Sequence, residues 1–406
     1  MKHLVIIGTV FPEPNSTAAG KRMLQLIDFF RSEHYRITFL SSANPSDFSA
    51  ELSEKEINTQ IIKLNDVSFE TVMEALKPDI VLFDRFTTEE QFGWKITEKC
   101  PEAVKILDTE DLHFLRKARQ EAFKQNKSFE NGDLLNDIFK REMASILRCD
   151  LSLIISEFEM ELLTLKFKID PQILHYLPLF ADNKESSVPF SARKNFVSIG
   201  NFLHEPNWKT VLQIKRLWKQ IKNLIPEAEV YIYGAYTPEK ALQLHNVKEG
   251  FLVKGRAENV ATVFDDAKVL LAPIPFGAGI KGKLLECMAF GLPNVTTPVG
   301  AEGMHGELPW NGYIADNDAD FIEKTVLLYT NADEWSNAQE NGYRIVNERF
   351  DKNLFLPGLS LRIIYISENL KQLRNENFLG QILQHHQHQS TKYLGKWIEE
   401  KNRPPK

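Results

Sequence analysis

The stretch that decides the fold is FGAGIKGKLLECMAFGLPNVTTPVGAEG, residues 276–303. It follows an apolar run at 269–273, VLLAP, which is typical of a buried parallel strand. Three glycines and two lysines come next, and a helical pattern begins near Lys281 and ends at the Gly-Leu-Pro stop of 291–293. A second short strand is predicted at 294–297. Strand, glycine loop, helix and strand in this order indicate one unit of a parallel α/β layer.

The glycine loop has the residues of an anion site. Free backbone N–H groups, the positive end of a helix dipole and two ammonium groups converge there, and glycine lets the backbone approach a bulky phosphate closely. A glutamate one turn into the helix is placed to accept hydrogen bonds from ribose hydroxyls. The stretch therefore predicts a nucleoside-diphosphate site, although such loops also occur as plain tight turns with solvated lysines. The predicted residues are Gly277, Gly279, Lys281, Gly282, Lys283 and Glu286.

Length and composition indicate a two-domain globular chain. With 406 residues, 43% of them hydrophobic, it can bury two separate cores. A net charge of −6 implies no general affinity for nucleic acid or anionic membranes. The three cysteines lack paired spacing, which favours a reducing compartment. The N-terminus, MKHLVIIG, predicts a first strand rather than a signal peptide, and no apolar run is long enough to span a membrane. We expect a cytoplasmic protein.

Short apolar runs alternate with amphipathic helical stretches along the chain, which predicts parallel α/β layers. Residues 181–189, ADNKESSVP, are polar, lack periodicity and predict an interdomain linker. The pattern restarts after them. Strands are predicted at 4–7, 37–40, 61–64, 80–83, 104–107 and 151–155 in the first half, and at 196–199, 230–233, 251–253 and 269–272 in the second.

The first strand is followed by a loop, residues 15–21 (NSTAAGK), that superficially matches a P-loop. Asn15 stands where the P-loop needs glycine and Arg22 where it needs Ser or Thr, so the phosphate nest and the magnesium ligand are both missing. The loop instead predicts a strand-to-helix connection at a carboxyl strand end, facing a cleft, or simply a cap for the helix at 21–30. Its candidate residues are Asn15, Ser16 and Gly20.

Residues 107–116, LDTEDLHFLR, carry three carboxylates and a histidine directly after a predicted strand. Their position at the carboxyl end of that strand favours a role in the cleft. Asp108 and His113 are the stronger candidates for substrate contact, and Glu110 and Asp111 the weaker ones. Asp111 is equally well explained as a helix N-cap.

Two further motifs have simpler explanations. Asp316 and Asp318 match a DxD metal motif, but a helix N-cap at Asp318 or Asp320 accounts for them better. The histidines of residues 384–389, QHHQHQ, fit a solvated chain end better than a metal site.

These motifs together resemble a known family. The 276–303 stretch, supported by 107–116 and 196–207, is similar to the nucleotide-sugar loop of GT-B glycosyltransferases, in particular the family 4-like group of mostly retaining enzymes. The resemblance covers roughly residues 1–375 and is strongest from Phe196 to Gly303. It implies an α/β fold of two Rossmann-like domains that face each other across a cleft, with the donor site in the second domain.

The resemblance also implies domain bounds and residue roles. We expect an acceptor-side domain at 1–180, a linker at 181–194, a donor domain at 195–350, a helix crossing back at 351–378 and a polar tail at 379–406. Gly200, Asn201 and His204 would lie beside the donor phosphates or sugar, and Asn207 would cap the next helix. Lys281, Asp108 and His113 are the catalytic candidates, with Lys281, nearer the loop apex, as the critical cation. Asn15, Ser16, Gly20 and Asp111 would lie on the acceptor side.

Two departures from the family pattern stand out. Many members carry an arginine where Asn201 stands, so Lys281 and Lys283 would have to replace that charge. The family's paired glutamates are seven residues apart, yet the position before Glu286 is Ala278. The ribose-facing carboxylate is present and the sugar-facing one is absent, which leaves the donor sugar and the stereochemical outcome open.

The expected function is transfer of a sugar from a nucleoside-diphosphate sugar to a hydroxyl of a glycan, lipid-linked or protein acceptor. The resemblance implies retention of configuration without a metal ion or cofactor; if the enzyme inverts, Asp108 is the first candidate base. No nucleic-acid partner and at most peripheral membrane contact are expected. Two alternatives remain open: a UDP-sugar 2-epimerase of the same fold, and a non-catalytic partner subunit, which Ala278 would suit.

Overall fold

The computed structural model describes residues 1–402, and only the backbone of residues 386–389, as two parallel sheets flanked by helices. Each sheet belongs to a domain with apolar cores of its own. This confirms the predicted α/β class with two Rossmann-like halves. None of the helices in this described part combines the length and apolar character that crossing a bilayer requires.

The first domain has a seven-stranded sheet in the order β3-β2-β1-β4-β5-β6-β7, with every neighbouring pair parallel. The strands are β1 (His3–Gly8), β2 (Arg36–Ser41), β3 (Asn58–Ile61), β4 (Ile80–Asp84), β5 (Val104–Asp108), β6 (Leu151–Ile154) and β7 (Leu174–Tyr176). The helices are α1 (Ala18–Ser32), α2 (Ser68–Leu76), α3 (Phe86–Lys99), α4 (His113–Lys124), α5 (Asp137–Arg148) and α6 (Glu157–Glu161). The prediction missed the three-residue β7 and placed β3 three residues late, because neither has an apolar run of its own.

The second domain has six parallel strands in the order β10-β9-β8-β11-β12-β13. The strands are β8 (Lys194–Ile199), β9 (Val230–Tyr233), β10 (Phe251–Gly255), β11 (Ala267–Ala272), β12 (Asn294–Thr296) and β13 (Gly312–Ile314). The helices are α7 (Glu205–Leu224), α8 (Glu239–Leu242), α9 (Val260–Asp266), α10 (Gly282–Ala289), α11 (Pro298–Ala301), α12 (Asp318–Thr330) and α13 (Ala332–Arg349). The 276–303 stretch therefore forms loop, helix and strand as predicted; the short β13 was not predicted.

Two long helices end the described chain, α14 (Leu356–Glu376) and α15 (Phe378–Lys401). One face of α14 is buried in the core of the first domain, so the chain returns there after the second domain. The residues that α14 buries are Leu359, Ile363, Ile366 and Leu370.

The polar tail expected from residue 379 is instead helix α15. Asn377 caps its start and also donates to the carbonyl of Leu147, 2.8 Å away. Lys95 forms an ion pair with Glu399 near its other end. Polar contacts to the first domain hold this helix, and hydrophobic periodicity does not reveal such contacts. The side chains of His386 and His388, which belong to the tail histidines, lie outside the described residues.

The order of strands in each sheet places the cleft. In the first sheet the order reverses beside β1 and β4, and in the second beside β8 and β11. Ligands of open α/β sheets bind outside the carboxyl ends of the strands at such reversals. The loops after these strands face each other between the domains, and the candidate site lies there.

Candidate active site

A cavity of about 1220 Å³ lies between the two domains. Loops that follow the carboxyl ends of strands line it from both sides. From the first domain these are residues 10–21, 84–85 and 110–116, and from the second residues 199–207, 234–236, 256–261 and 274–290. Such a cavity is large enough for a nucleotide sugar and part of an acceptor.

Lys283 is one of the cations on the second-domain side of the cavity, together with Lys281 and Arg256. Its ammonium donates to Oδ1 of Asn207, 2.7 Å away, and lies so close to Gly200 that a Cβ there would come within 2.8 Å of Nζ. No carboxylate within residues 1–402 forms an ion pair with it, and burial lowers its pKa to about 8. Lys283 is therefore a cation that a bound anion would stabilise.

Lys281 is directed differently. It is the N-cap residue of α10 and 8% exposed, and its ammonium donates to the carbonyl of Gly279, 2.7 Å away. Burial lowers its pKa to about 8, against the opposing charge of Glu302. Lys281 thus supports the glycine loop from within, while Lys283 faces the neighbouring loop at Gly200.

The glycine loop is held by the first domain. Glu159 accepts from the backbone N–H of Gly279, 2.9 Å away, and Arg119 donates to the carbonyl of Gly277, 2.8 Å away. Gly279 has φ +62, and a Cβ there would lie 2.8 Å from that of Asp111, so the backbone conformation and the close approach both require glycine. The N–H of Gly279 is therefore not free for phosphate, and the N–H groups at the start of α10 remain for it.

Two small residues of the 276–303 stretch, Ala278 and Gly282, also contact the first domain. Ala278 packs against the apolar core of the first domain. Ala278 is only partly buried and also lines the cavity, so this position offers no carboxylate to a bound ligand. Gly282 lies against Ala18 of α1, where a Cβ would approach that of Ala18 to 2.7 Å.

Glu286 lines the cavity, but its carboxylate forms an ion pair with Lys21 of α1 across the cleft. Both side chains are partly exposed, at 25% and 42%. An exposed ion pair of this kind contributes little to stability. A ribose between the domains can therefore compete for Glu286 at small cost.

The loop after β1 also reaches across the cleft. Ser16 donates to Glu13, and Tyr236 of the second domain donates to the same carboxylate at 2.9 Å. Gly20 is packed so tightly against the backbone of Glu13 that a Cβ would come within 2.4 Å of it. Thr17 caps α1, so the loop both caps the helix and lines the cavity; Asn15 is exposed on the cavity wall.

Asp108 is not available as a base in this structure. It is fully buried at the end of β5, and Nε of Arg22 donates to its two oxygens at 2.8 and 3.0 Å. Arg22 also donates to the carbonyl of Leu177. The pair is a structural link between α1 and the sheet, and it does not line the cavity.

Glu110 faces the cavity instead. It is the middle residue of a strained three-residue turn: its φ is +65, and the N–H of Asp111 donates to the carbonyl of Thr109, 2.8 Å away. No hydrogen bond to its carboxyl occurs within residues 1–402. Burial, together with the charges of Asp108 and Asp84, raises the pKa of Glu110 to about 8 despite Arg85. The sequence analysis ranked this residue below Asp108, because adjacent carboxylates do not reveal which one a turn exposes.

Asp111 and His113 lie on the same wall. Asp111 forms an ion pair with Arg116, while Nδ1 of His113 lies 3.0 Å from the carbonyl of Asp111. Burial raises the pKa of Asp111, but Arg116 and His113 outweigh it and the pKa falls to about 2. Asp111 is not an N-cap, because Glu142 accepts from the first N–H groups of α4 instead.

On the opposite wall, Gly200, Asn201 and His204 line the cavity. The side chain of Asn201 closes a local turn by accepting from the N–H of Leu203 at 2.8 Å. His204 is the N-cap residue of α7, so the expectation that Asn207 caps this helix is wrong. Asn207 lies one turn further, where it donates to the carbonyl of Asn201 and orients Lys283.

The DxD-like residues lie at the start of α12, where local contacts engage them. Asn317 caps α12, where Asp318 or Asp320 was expected to do so. Asp318 forms an ion pair with Arg216, and Asp320 accepts from the N–H of Asp316 at 2.9 Å. Among the side chains that the structure describes, no group of three or more His, Cys, Asp or Glu is arranged to hold a metal ion.

Sequence reasoning missed several residues of the cleft: Lys21, Arg116, Arg119, Glu159 and Tyr236. A signal existed for most of them. Arg116 is the last residue of the 107–116 segment, and Arg119 follows one helical turn later. Tyr236 and Glu159 follow the carboxyl ends of β9 and β6. Cross-domain partners have no signal in one sequence.

Comparison with known proteins gives a family match in the second domain and a likeness in fold. Residues 193–331 match the family model described as Glycosyl transferases group 1, whereas comparison with curated proteins gives no match. The sucrose-phosphate synthase of Thermosynechococcus elongatus is 13% identical and superposes with a TM-score of 0.66 over 93% of this chain and 100% of that one. HepE of Anabaena, solved in complex with UDP, is 14% identical with a TM-score of 0.64 over 92% and 100%. A Rickettsia africae glycosyltransferase is 12% identical with a TM-score of 0.64 over 89% and 97%.

The likeness to these structures defines the class of the chain, which has the GT-B fold. Residues 193–331 of its second domain match glycosyltransferase group 1, and this match supports a glycosyltransferase.

Proposed function

We propose that the protein transfers a sugar from a nucleoside-diphosphate sugar to an acceptor hydroxyl, with retention of configuration and without a metal ion. The observation that carries this proposal is Lys283, a cation without an anionic partner among the described residues. It lies between the start of α10 and Gly200 on the cavity wall. The UDP bound to HepE, which shares this fold, supports a nucleotide donor.

In this proposal the diphosphate lies at the start of α10. Two N–H groups there, of Gly282 and Lys283, and the ammonium of Lys283 meet its charge. As the bond from the sugar to the phosphate breaks, the leaving group gains negative charge, and these preorganised groups stabilise it. Glu286 accepts from the ribose hydroxyls once Lys21 releases it.

The acceptor approaches from the first domain, past residues 10–21 and 110–113. With retention, the departing phosphate oxygen can take the proton of the acceptor hydroxyl, so no separate base is needed. Asp108, the base that the sequence analysis named first, is buried in its ion pair with Arg22, which favours such a route over one that uses Asp108.

The first experiment measures the thermal unfolding of the full chain with UDP-, GDP-, ADP- and dTDP-sugars. A ligand at 100 times its dissociation constant stabilises by about 2.7 kcal/mol. The nucleotide that stabilises is then titrated calorimetrically into Glu286→Gln. We expect binding weaker by about 1–3 kcal/mol, because the charged acceptor for the ribose is lost. Glu323→Gln, on the exposed face of α12, is the control. Unchanged affinity would remove Glu286 from the site.

A further inference from the structure

Few second-domain cations are available to a diphosphate at the start of α10. Arg256 lines the cavity too, but its guanidinium lies over the ring of Phe48 in the first domain. Lys283 faces the cavity, but the ammonium of Lys281 is engaged with the carbonyl of Gly279. Asn201 carries no charge, and its side chain closes a turn. Each phosphate carries negative charge, and the leaving group gains more in the transition state. A second cation at the cavity is therefore expected.

The first domain offers such a cation. Arg116, in the first turn of α4, lines the cavity and its side chain is 27% exposed. Its Nη1 forms an ion pair with Asp111, and the described structure assigns no other hydrogen bond to its side chain. A guanidinium has five N–H donors in a fixed fork, so several remain for a ligand.

Arg116 and Lys283 act on the same region of the cavity. Both line the cavity, and Asp111, the partner of Arg116, lies against the glycine loop that leads to Lys283: a Cβ at Gly279 would come within 2.8 Å of the Cβ of Asp111. Consistent with this, enclosure in the cleft lowers the pKa of His204, and the charges of Arg116 and Lys283 lower it further, against Asp111.

Of these two cations, Arg116 belongs to the first domain and Lys283 to the second. Two other first-domain cations that line the cavity, Arg85 and Lys21, form ion pairs with Asp84 and Glu286. The space beside His204 is thus flanked by positive charge from both sides.

We propose that Arg116 binds the donor diphosphate from the first domain, opposite Lys283. This rests on the proposed function, whose donor it shares. Asp111 positions the guanidinium through one N–H, and the remaining donors form hydrogen bonds to phosphate oxygens. The diphosphate then bridges the two domains, and neither domain alone contains the complete site.

The test uses the full chain and calorimetry with UDP, GDP, ADP and dTDP. The nucleoside diphosphate that binds best is compared with its own nucleoside, measured by competition. Arg116→Met should weaken diphosphate binding at least 10-fold and change nucleoside binding less than 2-fold. Arg116→Gln keeps a hydrogen-bond donor for Asp111 but removes the charge, so it should show the same loss of diphosphate binding. It replaces the Met variant in the test if that variant does not fold. Lys117→Met, at the next residue of the same helix, is the matched control and should bind as the wild type does.

The outcomes separate the two proposals. If the diphosphate binds the wild type and Lys283→Met weakens it, while both Arg116 variants bind normally, the assignment of Arg116 is wrong and the proposed function stands. A parallel loss of nucleoside binding would also overturn it, since that indicates a structural role. If none of the diphosphates binds the wild type, the proposed donor class itself fails.

Discussion

At the scale of single residues, the two lysines of the glycine loop show what a sequence can and cannot specify. The pattern of glycines, lysines and apolar residues predicted an anion site. The loop, the helix start and the flanking strands lie at the predicted positions. The lysines are two residues apart at a helix start, where small differences in backbone direction decide which side chain faces the cavity. The sequence analysis favoured Lys281 as the critical cation, whereas the structure favours Lys283.

Replacing each lysine with methionine distinguishes them, because methionine keeps the aliphatic stem and removes the charge. Lys283→Met should lower kcat by about 10²–10³, the size of losing one preorganised group that stabilises developing charge. Lys281→Met should have a much smaller effect on kcat, since its ammonium binds a backbone carbonyl. Initial rates with the donor found by thermal unfolding measure both. If kcat falls more in Lys281→Met than in Lys283→Met, Lys281 is the critical cation, as the sequence analysis predicted.

At the scale of elements, strand positions followed from apolar runs, but the partners of their end residues did not. Asp108 ends β5 and lies at a carboxyl strand end, as predicted, yet it binds Arg22 of α1, 86 residues away in sequence. Hydrophobic patterns specify which faces of elements are buried. They carry no information on which charged residues pair between them.

The pairing of α1 with β5 predicts the behaviour of Asp108→Asn. The change leaves the charge of Arg22 buried without its partner, which typically costs about 3–5 kcal/mol. We expect that loss in the free energy of unfolding, measured by urea denaturation. The double variant Arg22→Met with Asp108→Asn should recover part of it, because the unpaired charge is gone. An Asp108→Asn variant of normal stability that lacks activity would instead indicate a catalytic role.

The start of α12 bears on the metal question. Asp318 is engaged with Arg216, and Asn317 caps the helix. In our proposal the diphosphate charge is met by Lys283 and the start of α10, so activity should persist within about 2-fold of the untreated rate in excess EDTA. The measurement is the initial rate before and after chelation. Loss of activity that manganese restores would contradict the metal-free proposal and bring Asp316 and Asp318 back as ligands.

At the scale of the whole molecule, two domains and a cleft were predictable, but the closure of the cleft was not. The glycine loop is held to the first domain by Glu159 and Arg119, and Arg119 also forms an ion pair with Glu302. These contacts join residues more than a hundred positions apart. The sequence therefore predicts the glycine loop but does not predict which residues of the first domain bind it. The backbone of the glycine loop thus contributes both to the proposed donor site and to the contacts that hold the two domains together.

We expect the closure of the cleft to depend on pH through Glu159. It is fully buried, and its Oε1 accepts from Leu112 and Gly279, while the described structure gives Oε2 no hydrogen-bond partner. Burial and the charge of Asp111 raise its pKa from 4.5 to about 8, against these N–H groups and Lys281. The folded protein therefore holds this proton more tightly than the unfolded chain. Protonated Glu159 therefore contributes to the free energy of unfolding. This contribution is fully present below about pH 4.5 and is lost as the pH rises to about 8.

Glu159→Gln tests this, since glutamine can accept from the same two N–H groups but cannot ionise. We expect the wild type to lose roughly 2–4 kcal/mol more of its free energy of unfolding than the variant between pH 5 and pH 8.5. Urea denaturation at both pH values measures the loss, and small-angle scattering should show the wild type expanding at pH 8.5 while the variant stays closed. Glu161→Gln, exposed on the same helix, should follow the wild type. Equal pH dependence in all three proteins would show that Glu159 does not control the closure of the cleft.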